Sequence, residues 1–231
     1  MKLIKLILSG PLQSWGEDAR WNQRTTAAMP TKSAIIGMIG SCLGIPRGDE
    51  QLNKLDHDLY VAIRADQPGR VMTDYHTVNS LNREPLPTAN GGNRGRGKGI
   101  ETPKQYLQDA RFTVFLWGYE DTLAACFQAM EHPKWAVYLG RKSCVPSVPV
   151  IPEWIEAASP EEAVAVFSEE EKQRRNLWVQ VEMDTQPNDP LGSGQRIITR
   201  RDAILRADRN EYGIRWVKAF AVKSGGEASC T

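Results

Sequence analysis

A chain of 231 residues with 41% hydrophobic and 25% charged side chains can bury one large core or two small ones, which excludes general disorder. Its longest apolar runs, Ala34 to Gly40 and Ala163 to Phe167, fall far short of the roughly 18 to 20 residues of a membrane helix. The formal net charge of +1 hides an uneven distribution: Glu153 to Glu171 holds seven glutamates and no lysine or arginine, so the rest of the chain carries +8.

Lys2 to Leu8 alternates with apolar residues on both faces, the pattern of a central strand rather than a signal peptide. Residues 10 to 30, with Gly10, Pro11, Gly16 and Pro30 around Trp15, Trp21, Arg20 and Arg24, predict an irregular excursion. Thr31 then caps a helix with Ile35, Ile36, Ile39 and Leu43 in a stripe. Gly37, Gly40 and Gly44 recur along it, implying that something approaches the helix closely: tight packing on a sheet, in preference to contact with a ligand. Leu59 to Ala65 and Arg111 to Trp117 predict two further strands. Asp121 to Met130 reads as a helix capped by Asp121, and Trp135 to Leu139 as a fourth strand.

Between the second and third strands, Asn90 to Gly99 contains five glycines, two arginines and a lysine, a basic loop or finger with too little apolar surface to pack. Beyond Arg141 come a proline-rich stretch (Val145 to Pro152), a short acidic helix (Pro160 to Glu171) and strands at Leu177 to Met183, Arg196 to Thr199 and Ile214 to Val222. The order strand, helix, strand, insertion, strand, helix, strand is that of a ferredoxin-like split βαβ unit followed by a smaller β-rich region.

Cations gather at Arg83 to Lys104, Lys134 to Lys142 and Arg196 to Arg209, which suits a polyanion, although any one such cluster can equally be a solvated face. Of the three histidines, His76 in Asp74-Tyr75-His76-Thr77 stands out. It is an acid/base group for metal-independent RNA cleavage, or a histidine that hydrogen-bonds a neighbouring backbone group, or one that touches RNA without cutting it. His57 and His132 read as surface residues. Gly140-Arg141-Lys142-Ser143 combines a glycine that permits close backbone approach with charge and a hydroxyl for phosphate. Cys42, Cys126, Cys144 and Cys230 form no C-x-x-C pair, which argues against zinc and disulfides and points to a reducing cytoplasm. The chain has no usable Walker A, H-E-x-x-H or G-x-S-x-G signature, so the sequence suggests neither cofactor nor metal.

Four co-linear segments carry a resemblance. They are Gly10-Pro11-Leu12-Gln13-Ser14-Trp15-Gly16; Pro30-Thr31-Lys32-Ser33 running into Ile36-Gly37-Met38-Ile39-Gly40 and Cys42-Leu43-Gly44-Ile45; Asp74-Tyr75-His76-Thr77-Val78; and Tyr138-Leu139-Gly140-Arg141-Lys142-Ser143-Cys144. Together they resemble the CasD family of type I-E CRISPR Cascade subunits, within the repeat-associated RNA-binding superfamily.

The resemblance implies an α+β protein. Residues 1–150 would form a ferredoxin-like (RRM-like) RNA-binding domain with a basic β-hairpin thumb inserted at about 78–108, and residues 151–231 a C-terminal β-rich domain. It implies a non-catalytic subunit that grips the 5′ handle of the CRISPR RNA, contacts the backbone subunit CasC and the large subunit CasA, and meets target DNA through the complex, with no membrane role. The alternative is a metal-independent endoribonuclease, as in type I-C systems, with His76 assisted by Tyr75 or Lys142; in type I-E a separate subunit, CasE, cleaves the precursor. Carried onto this sequence, Lys32 and Ser33 would present the first turn of the helix to a phosphate, and Gly140, Arg141, Lys142 and Ser143 would meet the RNA backbone. His76 would touch RNA, and Arg94, Arg96, Lys98 and Lys104 would lie on the thumb. Trp15 would either stack on a splayed base or pack in the core.

Overall fold

The computed structural model describes residues 1–16, 19–20, 23–80, 84–88, 91–168 and 178–224. Trp21, Arg83, Asn90, Glu169 to Glu171, Leu177 and Cys230 of the sequence reading lie outside these ranges. In chain order the elements are β1 (Lys2–Ser9), β2 (Leu12–Gln13), β3 (Ala19–Arg20), β4 (Gln23–Arg24), α1 (Lys32–Leu43), α2 (Gln51–Asp58), β5 (Leu59–Gln67) and β6 (Arg70–Val78). They continue with β7 (Ile100–Gln108), β8 (Arg111–Gly118), α3 (Glu120–Glu131), β9 (Glu153–Glu156), α4 (Pro160–Ala165), β10 (Trp178–Asp184), β11 (Arg196–Arg206) and β12 (Glu211–Lys223).

Seven strands form one antiparallel sheet in the order β11-β12-β10-β5-β8-β1-β9. Alternation sends Ile4, Leu6, Leu8, Val61, Ile63, Phe112, Val114 and Leu116 to the face covered by α1, α2 and α3, where they build the main core. Leu3, Ala62, Phe115, Val181 and Met183 point the other way and pack under Ala163 and Val164 of α4. The β-rich C-terminal strands add to the same sheet through β10 on β5, because Val181 and Met183 extend the apolar row of Ala62 and Phe115.

The neighbour of β1 on its free side is Glu153–Glu156, not the predicted Trp135–Leu139, which is irregular. That segment misses a ladder because its polar backbone is committed elsewhere: Lys134 N–H donates to Cys42 C=O at 2.9 Å and Leu139 N–H to Cys144 C=O at 2.7 Å. Three smaller corrections follow the same logic of local partners. Thr31 caps α1 as expected, accepting from Ala34 N–H. By contrast α3 starts one residue earlier than predicted, with Tyr119 at the cap and Asp121 in the first turn, where it faces the positive end of the helix dipole. The acidic helix ends at Ala165, and it opens on Ser159, whose Oγ accepts from Glu162 N–H, while the Glu162 carboxylate accepts from Ala158 N–H. The polar segment Gln51–Asp58, with too few apolar residues to signal itself, is helical because Leu52 and Leu55 pack into the core.

The glycines of α1 do not pack on the sheet. A Cβ on Gly40 would lie 2.5 Å from Leu52 Cδ2, so this glycine lets α2 close onto α1, whereas a Cβ on Gly37 would meet nothing within 4 Å.

A second, smaller sheet carries the hairpin. β6 and β7 pair in unbroken register from Arg70↔Gln108 to Val78↔Ile100, and β2 and β4 border β7. The arms therefore begin at Arg70, earlier than the expected start near residue 78, and continue the β5–β8 ladder past a bend marked by Gly69 (φ 75°) and Asp109 (φ 55°). At the tip the chain folds back on itself through a Pro87↔Asn93 bridge.

Candidate nucleic-acid interface

An open cleft of about 500 Å³ lies over the outward face of α1. Its floor is Ser33, Ala34, Gly37 and Ser41, at helical spacing; Arg24, Arg47 and Arg141 border it, with Trp135 and Tyr138 from the irregular segment before Gly140. Arg24 and Arg47 are exposed. Arg47 is held flat by Asn210, whose Oδ1 accepts from Nε at 3.3 Å and Nη2 at 3.0 Å.

Arg141 is placed differently from a free phosphate ligand. Its Nη1 donates to Gln105 C=O at 3.1 Å, its Nη2 to Arg24 C=O at 2.9 Å, and its guanidinium lies 4.8 Å above the Tyr106 ring. Arg141 thus ties β7 of the hairpin to the end of β4 while lining the cleft. Gly140 is required for a backbone reason: φ is 89°, and a Cβ there would lie 1.8 Å from Ser14 C=O. The close approach the sequence predicted is to the protein's own chain. Lys142 and Ser143 are exposed beside it.

On the hairpin, Arg94, Arg96 and Lys98 are exposed at the tip. His76 and Lys104 face each other across the arms. Lys104 Nζ donates to His76 Nδ1 at 3.2 Å, which makes that nitrogen the acceptor and leaves Nε2–H to donate to Asp74. Both ring nitrogens are engaged. Tyr75 projects from the opposite face, where a hydrogen bond to Glu101 raises its phenol pKa. His57 and His132 are exposed, as expected.

Two predicted contacts are closed off. Trp15 is 1% exposed in the main core, its Nε1–H donating to Gln13 Oε1 at 3.2 Å, so no ring face is open to a base and the packing alternative describes it. The first turn of α1 already has its anion: Lys32 N–H donates to Asp202 Oδ2 at 2.7 Å. Lys32 itself is buried, its ammonium 3.4 Å from Asp184. Arg215 completes this cluster, bidentate to Asp202 at 2.8 Å for both bonds and paired with Asp184. Of the pair Lys32 and Ser33, only Ser33 reaches the cleft.

The sequence reading passed over Arg47 and Trp135 as interface residues. Arg47 gave a signal, a cation in the Pro46-Arg47-Gly48 turn just past the helix; Trp135 gave a misleading one, because its neighbours looked like a strand. Burial pushes the thiols of Cys42 and Cys126 up to about 11 and about 12, which keeps both protonated and unreactive.

Comparison with known proteins shows the family. Residues 3–218 match the model of a family described as CRISPR-associated protein (Cas_Cas5). The chain is 33% identical over 173 residues to the CRISPR system Cascade subunit CasD of Escherichia coli (strain K12), covering 69% of this chain and 74% of that protein. It superposes on a chain of a CRISPR RNA-guided surveillance complex with a TM-score of 0.75 and 28% identity, over 98% of this chain and 95% of the other. A crystal structure of a Cas protein shares the fold at a TM-score of 0.63 and 22% identity, over 96% and 95% of the two chains. With a matched span of nearly its whole length, the chain belongs to the Cas5 family of CRISPR-associated proteins.

Proposed function

We propose that this protein is a non-catalytic subunit of a type I-E Cascade surveillance complex that binds the 5′ handle of the CRISPR RNA and caps the backbone. CasC and CasA are its protein neighbours, and target DNA is met through the assembled complex. The observation that carries this reading is the cleft over α1, bordered by Arg24, Arg47 and Arg141, at the root of a hairpin whose tip bears Arg94, Arg96 and Lys98. Single-stranded RNA is held by such grooves through phosphate contacts and open aromatic faces. Lys142 and Ser143, exposed next to Arg141, and Lys104, opposite Arg24 on β7, extend the set. Gly140 and Lys32 serve by shaping the backbone around it.

In this reading β1, β5 and β8, with α1 and α3 on one face, form the ferredoxin-like (RRM-like) unit of residues 1–150, and its fourth strand, β9, comes from just beyond it at residues 153–156. β10, β11 and β12 are the β-rich extension of residues 151–231. Cleavage is disfavoured because His76 has no ring nitrogen available to take or give a proton while Asp74 and Lys104 hold it.

The test is co-expression with the genomic neighbours, pull-down and extraction of RNA. Recovery of a uniform CRISPR RNA in a multi-subunit complex, with the 5′ end losing its protection when this chain is left out, is the expected result. Recovery of the chain alone with cut repeat RNA, in EDTA and abolished by His76→Ala, would replace it with the nuclease reading.

A further inference from the structure

We infer that Trp135 is the nucleobase platform of the cleft: an unpaired base of the bound strand stacks on its indole, the strand passing over the bare helix surface at Gly37 toward Arg47. The inference rests on the RNA-binding reading above. Trp135 is 48% exposed and lines the cleft, which leaves indole surface available for a base to stack on. The other described tryptophans are accounted for differently. Trp15 is in the core, and Trp117 stacks on Tyr60 and Trp154 on Phe127; Trp178 and Trp216 are also exposed, at 67% and 40%, but lie on β10 and β12, outside the cleft, so what singles out Trp135 is its place among the cleft arginines.

The backbone under Trp135 is rigid, which a stacking platform needs. Lys134 N–H is bonded to Cys42 C=O at 2.9 Å, and the Lys134 stem lies over Gly44 at the end of α1, where a Cβ would approach it to 2.3 Å. Next to it Arg47, held planar by Asn210, supplies a fixed cation for a phosphate. Gly37 is the second observation. It sits mid-helix, where glycine is unfavourable, and a Cβ there would meet no protein atom within 4 Å. Among the described residues none uses the space of its missing side chain; a nucleotide crossing the helix would.

The test compares wild type, Trp135→Leu and Trp135→Phe in the full chain, with a fluorescein-labelled single-stranded oligoadenylate RNA as probe and intrinsic tryptophan fluorescence as second readout. Stacking on one base predicts that Trp135→Leu binds about 5- to 100-fold more weakly while Trp135→Phe keeps most of the affinity. The salt dependence should be unchanged in both, because no phosphate contact is removed. Wild-type fluorescence should be quenched on binding, and the quench should vanish in Trp135→Phe. Should Trp135→Leu fail to fold, the wild-type quench and its loss in the folded phenylalanine variant decide the matter. Equal RNA affinity and an equal quench in the variants would overturn the platform and leave RNA binding intact. Absence of RNA binding by the wild type would instead remove the underlying reading.

Discussion

Two collections of charge flank α1, and they behave in opposite ways. On one side Lys32, Asp184, Asp202 and Arg215 are all less than a tenth exposed and satisfy one another. On the other side Arg24 and Arg47 border an open cleft, and Arg94, Arg96 and Lys98 stand in solvent. Burial is tolerable for the first group because every charge has an opposite neighbour, and losing one would strand the rest. Among the described residues the second group has cations without matching carboxylates, a condition that favours an outside polyanion. What separates a structural charge from a binding charge in this protein is therefore the presence of an acid across the gap. Residue type and proximity to the helix do not distinguish them.

That contrast can be broken from either side. The largest effect is expected from Asp202→Ala, which strips the carboxylate from Arg215 and from the first N–H of α1. Denaturant unfolding should show a loss of about 3 to 5 kcal/mol, and a loss below about 1 kcal/mol would mean the cluster is solvated. The combined Arg94→Ala, Arg96→Ala and Lys98→Ala variant should do the reverse. Its unfolding free energy should stay within about 0.5 kcal/mol of wild type, while the slope of log affinity for single-stranded RNA against log salt falls by about 2, roughly 0.7 for each phosphate contact removed.

A smaller effect comes from Asp56, at the edge of the buried cluster, which burial raises from 3.8 to about 6 despite the pull of Lys32. Folded Asp56 binds its proton more tightly than the unfolded chain does. Its contribution is therefore neutral below about pH 4, turns unfavourable as pH rises to about 6, and is constant above. Stability measured across that window should decline in wild type by more than in Asp56→Asn; parallel curves would mean Asp56 titrates normally. Smallest of all, Gly37→Ala should raise stability by about 0.5 to 1 kcal/mol. Thermal unfolding checks the gain, and a loss would show that the helix face is packed.

The elements with strong periodicity were readable from the residues: β1, α1, β5, β8 and α3 all sit where their apolar spacing put them. The failures were those that depend on distant partners. Trp135 to Leu139 has a strand-like composition, yet it is pinned at both ends, by Lys134 N–H on Cys42 C=O just before it and by Leu139 N–H on Cys144 C=O, and the β1 edge goes to Glu153–Glu156. At the interface the hairpin tip was legible because glycine and arginine with no apolar residues can do little except face solvent. Lys32 was misjudged because its partners lie at positions 184 and 202, and the bulge in β11 that turns Asp202 inward has no local signature. Trp15 and Trp135 differ in burial alone, a property of the assembled core.

The hairpin has a metric consequence. Because β6 and β7 prolong the β5–β8 ladder without a break in their own register, the tip is carried on a braced arm. Nine residues at about 3.4 Å each set its reach at about 30 Å. Such an arm works as a caliper whose one jaw is the cleft root, fixed by Arg141, and whose other is the cationic tip. Shortening both arms by two residues keeps the same faces outward while drawing the jaws together by about 7 Å. In the proposed role, the spacing of contacts along a bound strand is set by strand length, which can change in steps of two residues without touching the chemistry at either end.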